Sequence, residues 1–233
     1  MERQIDSTAT ETIATVAVTD IARAFRIISD EEDAKRERAR NERAYRERLS
    51  IAIQEDSLPP GIERYAIIRE DVRKNNPQAT RYIEEWVRRQ GNIYLWGPEG
   101  TGKTALCRFL LLKAIRANLS AREVKAASFC GGRFSGYNGE QQWRPLIGIC
   151  LLLIDDLADA RYAANGLKRV IEARGDRGFP TLFTSNLSRA DLVSMWRKRE
   201  YPELDAVGPG SLVARINPCR VFEITGESLR KNR

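Results

Sequence analysis

The chain of 233 residues is 42% apolar and 30% charged, which supplies material for a packed core and excludes the apolar-poor profile of a disordered polyampholyte. Its formal charge of +7 is uneven: residues 1–60 hold 10 Lys or Arg against 13 Asp or Glu, and residues 61–233 hold 29 against 19. The chain has no histidine, and Cys107, Cys130, Cys150 and Cys219 form no CxxC pair, so His-based nucleophile triads are excluded and a zinc site is disfavoured.

In chain order, the start Met1-Glu2-Arg3-Gln4 is polar and has no apolar signal region. The longest apolar runs, Phe109–Leu112 and Ile149–Ile154, are too short to span a bilayer, so a cytoplasmic protein without membrane contact is expected. Asp20 is placed to cap a short helix with Ile21, Phe25 and Ile28 on one face. Residues 30–49 read as a solvated helix with Glu42–Arg46 and similar i,i+4 pairs. Ser57-Leu58-Pro59-Pro60-Gly61 stops that helix and is the expected boundary between a helical N-terminal extension, 1–60, and a catalytic core, 61–233.

A helical approach over Ile62–Arg73 is broken by Asn75-Asn76-Pro77, and Gln78–Arg89 forms an amphipathic helix. The pattern then alternates. Strands are expected at Asn92–Trp96, Val124–Phe129, Ile149–Ile154, Phe179–Thr184 and Arg220–Ile224. Helices are expected at Lys103–Ala117, Glu140–Leu146, Ala163–Arg174, Ser188–Arg199 and Ser211–Arg215. Strands alternating with helices imply an α/β fold, a mostly parallel sheet covered by helices.

Gly97-Pro98-Glu99-Gly100-Thr101-Gly102-Lys103-Thr104 follows the strand ending at Trp96 and opens a helix. This is the P-loop pattern GxxxxGK[ST]. Its glycines let backbone N–H groups turn to phosphate oxygens, Lys103 reaches the β and γ phosphates of ATP, and the Thr104 hydroxyl takes Mg2+. The strand Cys150–Ile154 ends in Asp155-Asp156, where Asp155 is the Mg2+ carboxylate and Asp156 positions or deprotonates the attacking water. Asn186 closes the strand at Thr184-Ser185; either it bonds the water or γ-phosphate, or the segment Asn186–Ser188 caps the following helix. Arg133, Phe134, Tyr137, Trp143 and Arg144, in the stretch 130–148, suit either stacking on single-stranded bases or a packed loop.

Taken together, Gly97–Thr104, Leu151–Asp156, Gly178–Ser188, Ser211–Ile216, Val221–Ile224 and Gly226–Arg230 resemble an AAA+ ATPase, specifically the DnaC-like helicase loaders and the IstB-like transposition helpers. The resemblance implies a P-loop core without a C-terminal helical lid, and a homo-oligomer in which Arg215 reaches in trans to a neighbour's γ-phosphate as an arginine finger. Arg220 is a weaker competitor for that role. It implies a replicative helicase as partner and single-stranded DNA as substrate surface, with a transposase and duplex DNA as the alternative. A P-loop small-molecule kinase has no readable acceptor pocket here, and a non-catalytic scaffold does not need intact Lys103, Thr104, Asp155 and Asp156.

Overall fold

Strand β1 (Ile93–Trp96) is made of bulky apolar and aromatic residues, and Ile93, Tyr94 and Leu95 are fully buried. Such a strand belongs inside a sheet covered on both faces. The computed structural model, which describes residues 33–89, 91–129, 139–159, 164–198, 216 and 218–229, places it there. The sheet has five strands in the order β2-β3-β4-β1-β5, with β2 (Ala121–Lys125), β3 (Leu151–Asp155), β4 (Thr181–Ser185) and β5 (Arg220–Glu223). Every pairing is parallel, so the carboxyl ends of β1, β3 and β4 share one edge. The expected α/β fold, a mostly parallel sheet covered by helices, is the observed one.

Alternation along the strands divides the core. Tyr94, Leu152, Ile154 and Phe183 pack with Trp143 and Leu146 of α5 (Gly139–Ile147) and with Leu167 and Val170 of α6 (Ala164–Asp176). Leu192 of α7 (Arg189–Lys198) joins them. Helix α4 (Lys103–Arg116) packs against β2, β3 and β4 and is covered in turn by α3 (Pro77–Arg89) and a 3-10 turn, Ile62–Tyr65. For that reason it buries Cys107, Leu111, Leu112 and Ala114 as well as the stripe of Leu106, Leu110 and Ile115.

Two expectations are corrected. The second strand is Ala121–Lys125, followed by a 3-10 turn at Ala126–Phe129, rather than Val124–Phe129. The polar stretch Arg122-Glu123 hid it: Glu123 is satisfied by Arg108 of α4, with Nε···Oε2 at 2.8 Å and Nη2···Oε1 at 2.7 Å. The approach helix over 62–73 is instead the 3-10 turn and a separate α2 (Glu70–Asn75). Asn76, held out of the helical region by Pro77, divides α2 from α3.

The chain forms two compact units, Met1–Glu47 and Arg48–Arg233. Helix α1 covers 33–54, and the division falls within it. In the first unit, residues 33–47 are mostly exposed, with Arg46 Nε 3.3 Å from Glu42 Oε1. The second unit begins earlier than the Pro59-Pro60-Gly61 stop, because Leu49, Ala52 and Leu58 are buried and Glu123 donates its N–H to Ser57 O at 2.9 Å. The helix expected around Asp20, Ile21, Phe25 and Ile28, the stretch 130–138 with Arg133, Phe134 and Tyr137, and Ser211–Arg215 lie outside the described residues.

Candidate functional site

Trp96 ends β1, and the chain turns at Gly97 with φ 140°. A Cβ on Gly97 would lie 2.3 Å from the carbonyl oxygen of Ile224, which follows β5, so the phosphate loop can leave the sheet here only on a glycine. A second contact anchors the loop further on: Leu229 donates its N–H to Gly100 O at 2.9 Å. The segment after β5 is itself fixed by Asn76, which donates Nδ2–H to Thr225 O at 2.9 Å and accepts the Thr225 N–H at 2.8 Å. The interruption Asn75-Asn76-Pro77, legible in sequence only as a helix break, therefore supports the floor of the site.

Within the loop, Thr101 Oγ1 donates to Pro98 O at 2.9 Å. Lys103, buried at the start of α4, donates from Nζ to Gly97 O at 2.8 Å and to Pro98 O at 2.7 Å. Its ammonium thus lies inside the curl of the loop, where a bound anion would compete with those carbonyls for it. Thr104 Oγ1 donates to Asp155 Oδ1 at 2.8 Å. The hydroxyl and the carboxylate singled out for Mg2+ are therefore adjacent, although they stand on different elements.

Asp155, buried at the end of β3, also accepts Thr184 Oγ1–H at 2.6 Å. Asp156 takes a left-handed backbone, φ 56°, and donates its N–H to Thr184 Oγ1 at 2.9 Å. Burial, then the negative charges of Asp155 and Asp159, push the Asp156 carboxyl above its ordinary value, with Lys125 and Lys103 opposing. A carboxylate raised in this way is a stronger proton acceptor than an ordinary one. Burial, then the negative charges of Asp155 and Glu123, push the Cys107 thiol up against the opposing Arg108, so it remains a thiol.

Asn186 follows β4 and donates Nδ2–H to Glu99 Oε1 at 3.3 Å across the mouth of the loop. Capping of α7 falls to Ser188, whose Oγ accepts Asp191 N–H at 3.1 Å and donates to Asp191 Oδ2 at 2.6 Å. The segment Asn186–Ser188 thus caps α7 through Ser188, while the Asn186 amide faces Glu99 of the loop. Tyr94 secures this loop by donating its hydroxyl to Leu187 O at 2.9 Å; burial first of all pushes that phenol up to about 12.

These groups line a cavity of about 660 Å³ whose walls include Lys103, Thr104, Asp155, Asp156, Asn186 and Leu229. Hard oxygen donors, one hydroxyl and one buried carboxylate, suit Mg2+, which keeps most of its water. Among the described residues no group of three or more His, Cys, Asp or Glu gathers as a transition-metal site. Arg215 lies outside the described residues. Arg220 is aligned with Ile93 at the opposite end of the strands from the loop, with its guanidinium 5.8 Å from the ring centres of both Tyr82 and Phe222. Trp143 is buried in the core, which removes it from the suggested base-stacking surface. Thr184 was legible as part of Thr184-Ser185-Asn186 but carried no assigned role, because a buried threonine in a strand looks like packing. No helix among the described residues is long and apolar enough to cross a membrane.

Comparison with known proteins agrees with this geometry. The model of the family described as IstB-like ATP binding protein matches residues 27–233. Among solved structures, a putative primosome component from Streptococcus pyogenes serotype M3 is 24% identical with a TM-score of 0.59, covering 74% of this chain and 92% of that one. DnaI is 18% identical, TM-score 0.53, over 73% of this chain and 93% of its own. The DnaC helicase loader is 17% identical, TM-score 0.51, over 70% and 99%. At these identities the likeness to solved structures is one of fold. A search of curated proteins finds no match.

Proposed function

Because the chain belongs to the family of IstB-like ATP-binding proteins, and shares its fold with DnaI and the DnaC helicase loader, we propose that it is an AAA+ ATPase that binds ATP with Mg2+, hydrolyses it to ADP and phosphate, and uses the cycle to place a replicative helicase on single-stranded DNA. The observation that carries the chemistry is the 2.8 Å contact between Thr104 and Asp155 beside Lys103. Thr104 and Asp155 would hold the ion, which when bound offsets charge on the transferring phosphoryl group. The loop N–H groups and Lys103 hold the phosphates. Asp156 orients the attacking water and accepts its proton. Asn186 exchanges Glu99 for the water or the γ-phosphate. Arg215, supplied by a neighbouring copy in a homo-oligomer, stabilises the spreading charge.

Residues 1–60, with a net charge of −3 beside a core of +10, are read as the extension that docks the partner. The loader reading is supported by likeness in fold to a primosome component, to DnaI and to the DnaC helicase loader over nearly the whole of those chains. A second reading, a transposition helper that pairs the same core with a transposase and duplex DNA, is favoured by the family match over 27–233. The full chain is tested with the replicative helicase of its own host on a single-stranded circle. ATP-dependent helicase binding to the circle supports the first reading. Stimulation of a neighbouring transposase, with no effect on the helicase, replaces it with the second.

A further inference from the structure

The two acids at the end of β3 are not held by β3 alone. Thr184, fully buried on β4, gives its only hydroxyl proton to Asp155 Oδ1 at 2.6 Å, and its oxygen accepts the Asp156 N–H at 2.9 Å. Thr104 gives its own proton to the same Asp155 oxygen at 2.8 Å. One hydroxyl therefore touches both acids, side chain in one case and backbone in the other. It does so where the Asp156 backbone turns into the left-handed region, φ 56°, a conformation that persists in a non-glycine residue when its surroundings fix it.

We propose that Thr184 is a positioning residue for the acid pair: it sets the orientation of the Asp155 carboxylate that receives Mg2+ and holds the backbone turn that presents Asp156. The proposal rests on the ATPase reading above. A carboxylate that accepts two hydroxyls on one oxygen has lost its freedom to rotate. Thr104 and Asp155 would hold the ion; were the Thr104 hydroxyl then engaged there, the Thr184 bond would remain to fix the carboxylate. Because Asn186 is two residues further along the same strand end, Thr184 also ties the position of Asn186 to that of the acids. A packing role alone requires only the shape of the side chain, which valine reproduces; the positioning role requires the hydroxyl.

The test uses the full chain as wild type, Thr184→Val and Thr184→Ser. Affinity for a fluorescent, slowly hydrolysed ATP analogue is measured in EDTA and across a Mg2+ titration, beside steady-state kcat and KM. In EDTA all three proteins bind the analogue alike. In Mg2+, Thr184→Val is expected to need about tenfold more ion for half-saturation and to lose about 10- to 100-fold in kcat, with KM little changed, the range typical when an outer partner of a metal ligand is removed. Thr184→Ser recovers to within about threefold of wild type on the same scale. Wild-type Mg2+ half-saturation and kcat in Thr184→Val overturn the proposal. So does a serine variant as impaired as the valine variant. If Thr184→Val does not fold, Thr184→Cys takes its place, with the same two results deciding. Wild-type protein that gains no affinity from Mg2+ overturns the ATPase reading itself and is told apart by that control.

Discussion

Arg174 carries a buried charge with no carboxylate among its hydrogen-bond partners in the described residues, and its replacement is a sensitive test of how the strands are held. The side chain is fully buried. Nη1 donates to Leu146 O and Ile149 O, each at 2.7 Å, Nη2 to Pro180 O at 2.7 Å, and Nε to Thr181 Oγ1 at 3.0 Å. One guanidinium thus joins the end of α5 to the entries of β3 and β4, the strands that carry Asp155 and Thr184 at their far ends. Burial pulls its pKa down to about 10, still charged at neutral pH. Arg174→Met removes that charge, which by itself relieves several kcal/mol of desolvation. It also leaves the buried Leu146 carbonyl and Thr181 hydroxyl, and the half-buried carbonyls of Ile149 and Pro180, without their donor, at a cost of about 1–3 kcal/mol for each buried group and less for the others. The balance is a net loss of about 2–4 kcal/mol, or roughly 5–15 °C in Tm for a chain of this size. Arg174→Lys, which brings one nitrogen where the native fork uses three, is expected to fall between. Thermal denaturation followed by circular dichroism reads both. A methionine variant within about 2 °C of wild type would refute the reasoning, because it would mean that the carbonyls find water or other donors at no cost.

Other predictions follow from neighbouring geometry. Gly97→Ala drives a methyl group onto the Ile224 carbonyl at 2.3 Å, at a φ of 140° that alanine resists, and should abolish nucleotide binding while lowering Tm; unchanged binding by fluorescence titration would contradict the close approach. The Arg108–Glu123 pair has side chains only 17% and 9% exposed, and Arg108 also reaches the Tyr65 hydroxyl at 3.1 Å. Glu123→Leu alone is expected to cost about 2–4 kcal/mol in urea unfolding, and the double change Arg108→Met with Glu123→Leu less than the sum of the single changes by about 1–2 kcal/mol. Additive losses would show that the two groups do not act as a pair. Arg215→Ala should keep ATP affinity within about threefold and lose about 10³-fold in turnover. Mixing it with Lys103→Ala should restore part of the activity, and no recovery in an assembled mixture counts against a trans site.

Much of this architecture was readable because its signals are local. The phosphate loop needs glycines at fixed spacing after a strand, and Gly97–Thr104 supplies them. Leu151–Ile154 is apolar enough to require burial on both faces, so the acids that follow it had to emerge at a strand end. The parallel sheet followed from the alternation of strands and helices. What stayed hidden depends on partners distant in sequence. Arg122-Glu123 looked like a loop because the neutralising Arg108 lies on the preceding helix. Asn76 looked like a helix break because Thr225 joins it only in the folded chain. Thr184 looked like a strand filler, and Arg174 was legible only as the end of a helix, since the acceptors that define them come from other elements. The cap expected of the segment Asn186–Ser188 falls to Ser188, a share that the sequence does not assign to one residue.

The most direct test of the central claim, that the loop Gly97–Thr104 and Asp155 form one Mg2+–ATP site, is phosphate release from ATP by the full chain. It is measured with single-stranded DNA and at concentrations that favour assembly, for wild type, Lys103→Ala and Asp155→Asn. Wild-type protein should turn over ATP only with Mg2+, and each variant should lose at least about 10²-fold, the scale of removing a group that binds the transferring phosphoryl or its ion. Wild-type turnover retained by either variant would contradict the assignment of the site.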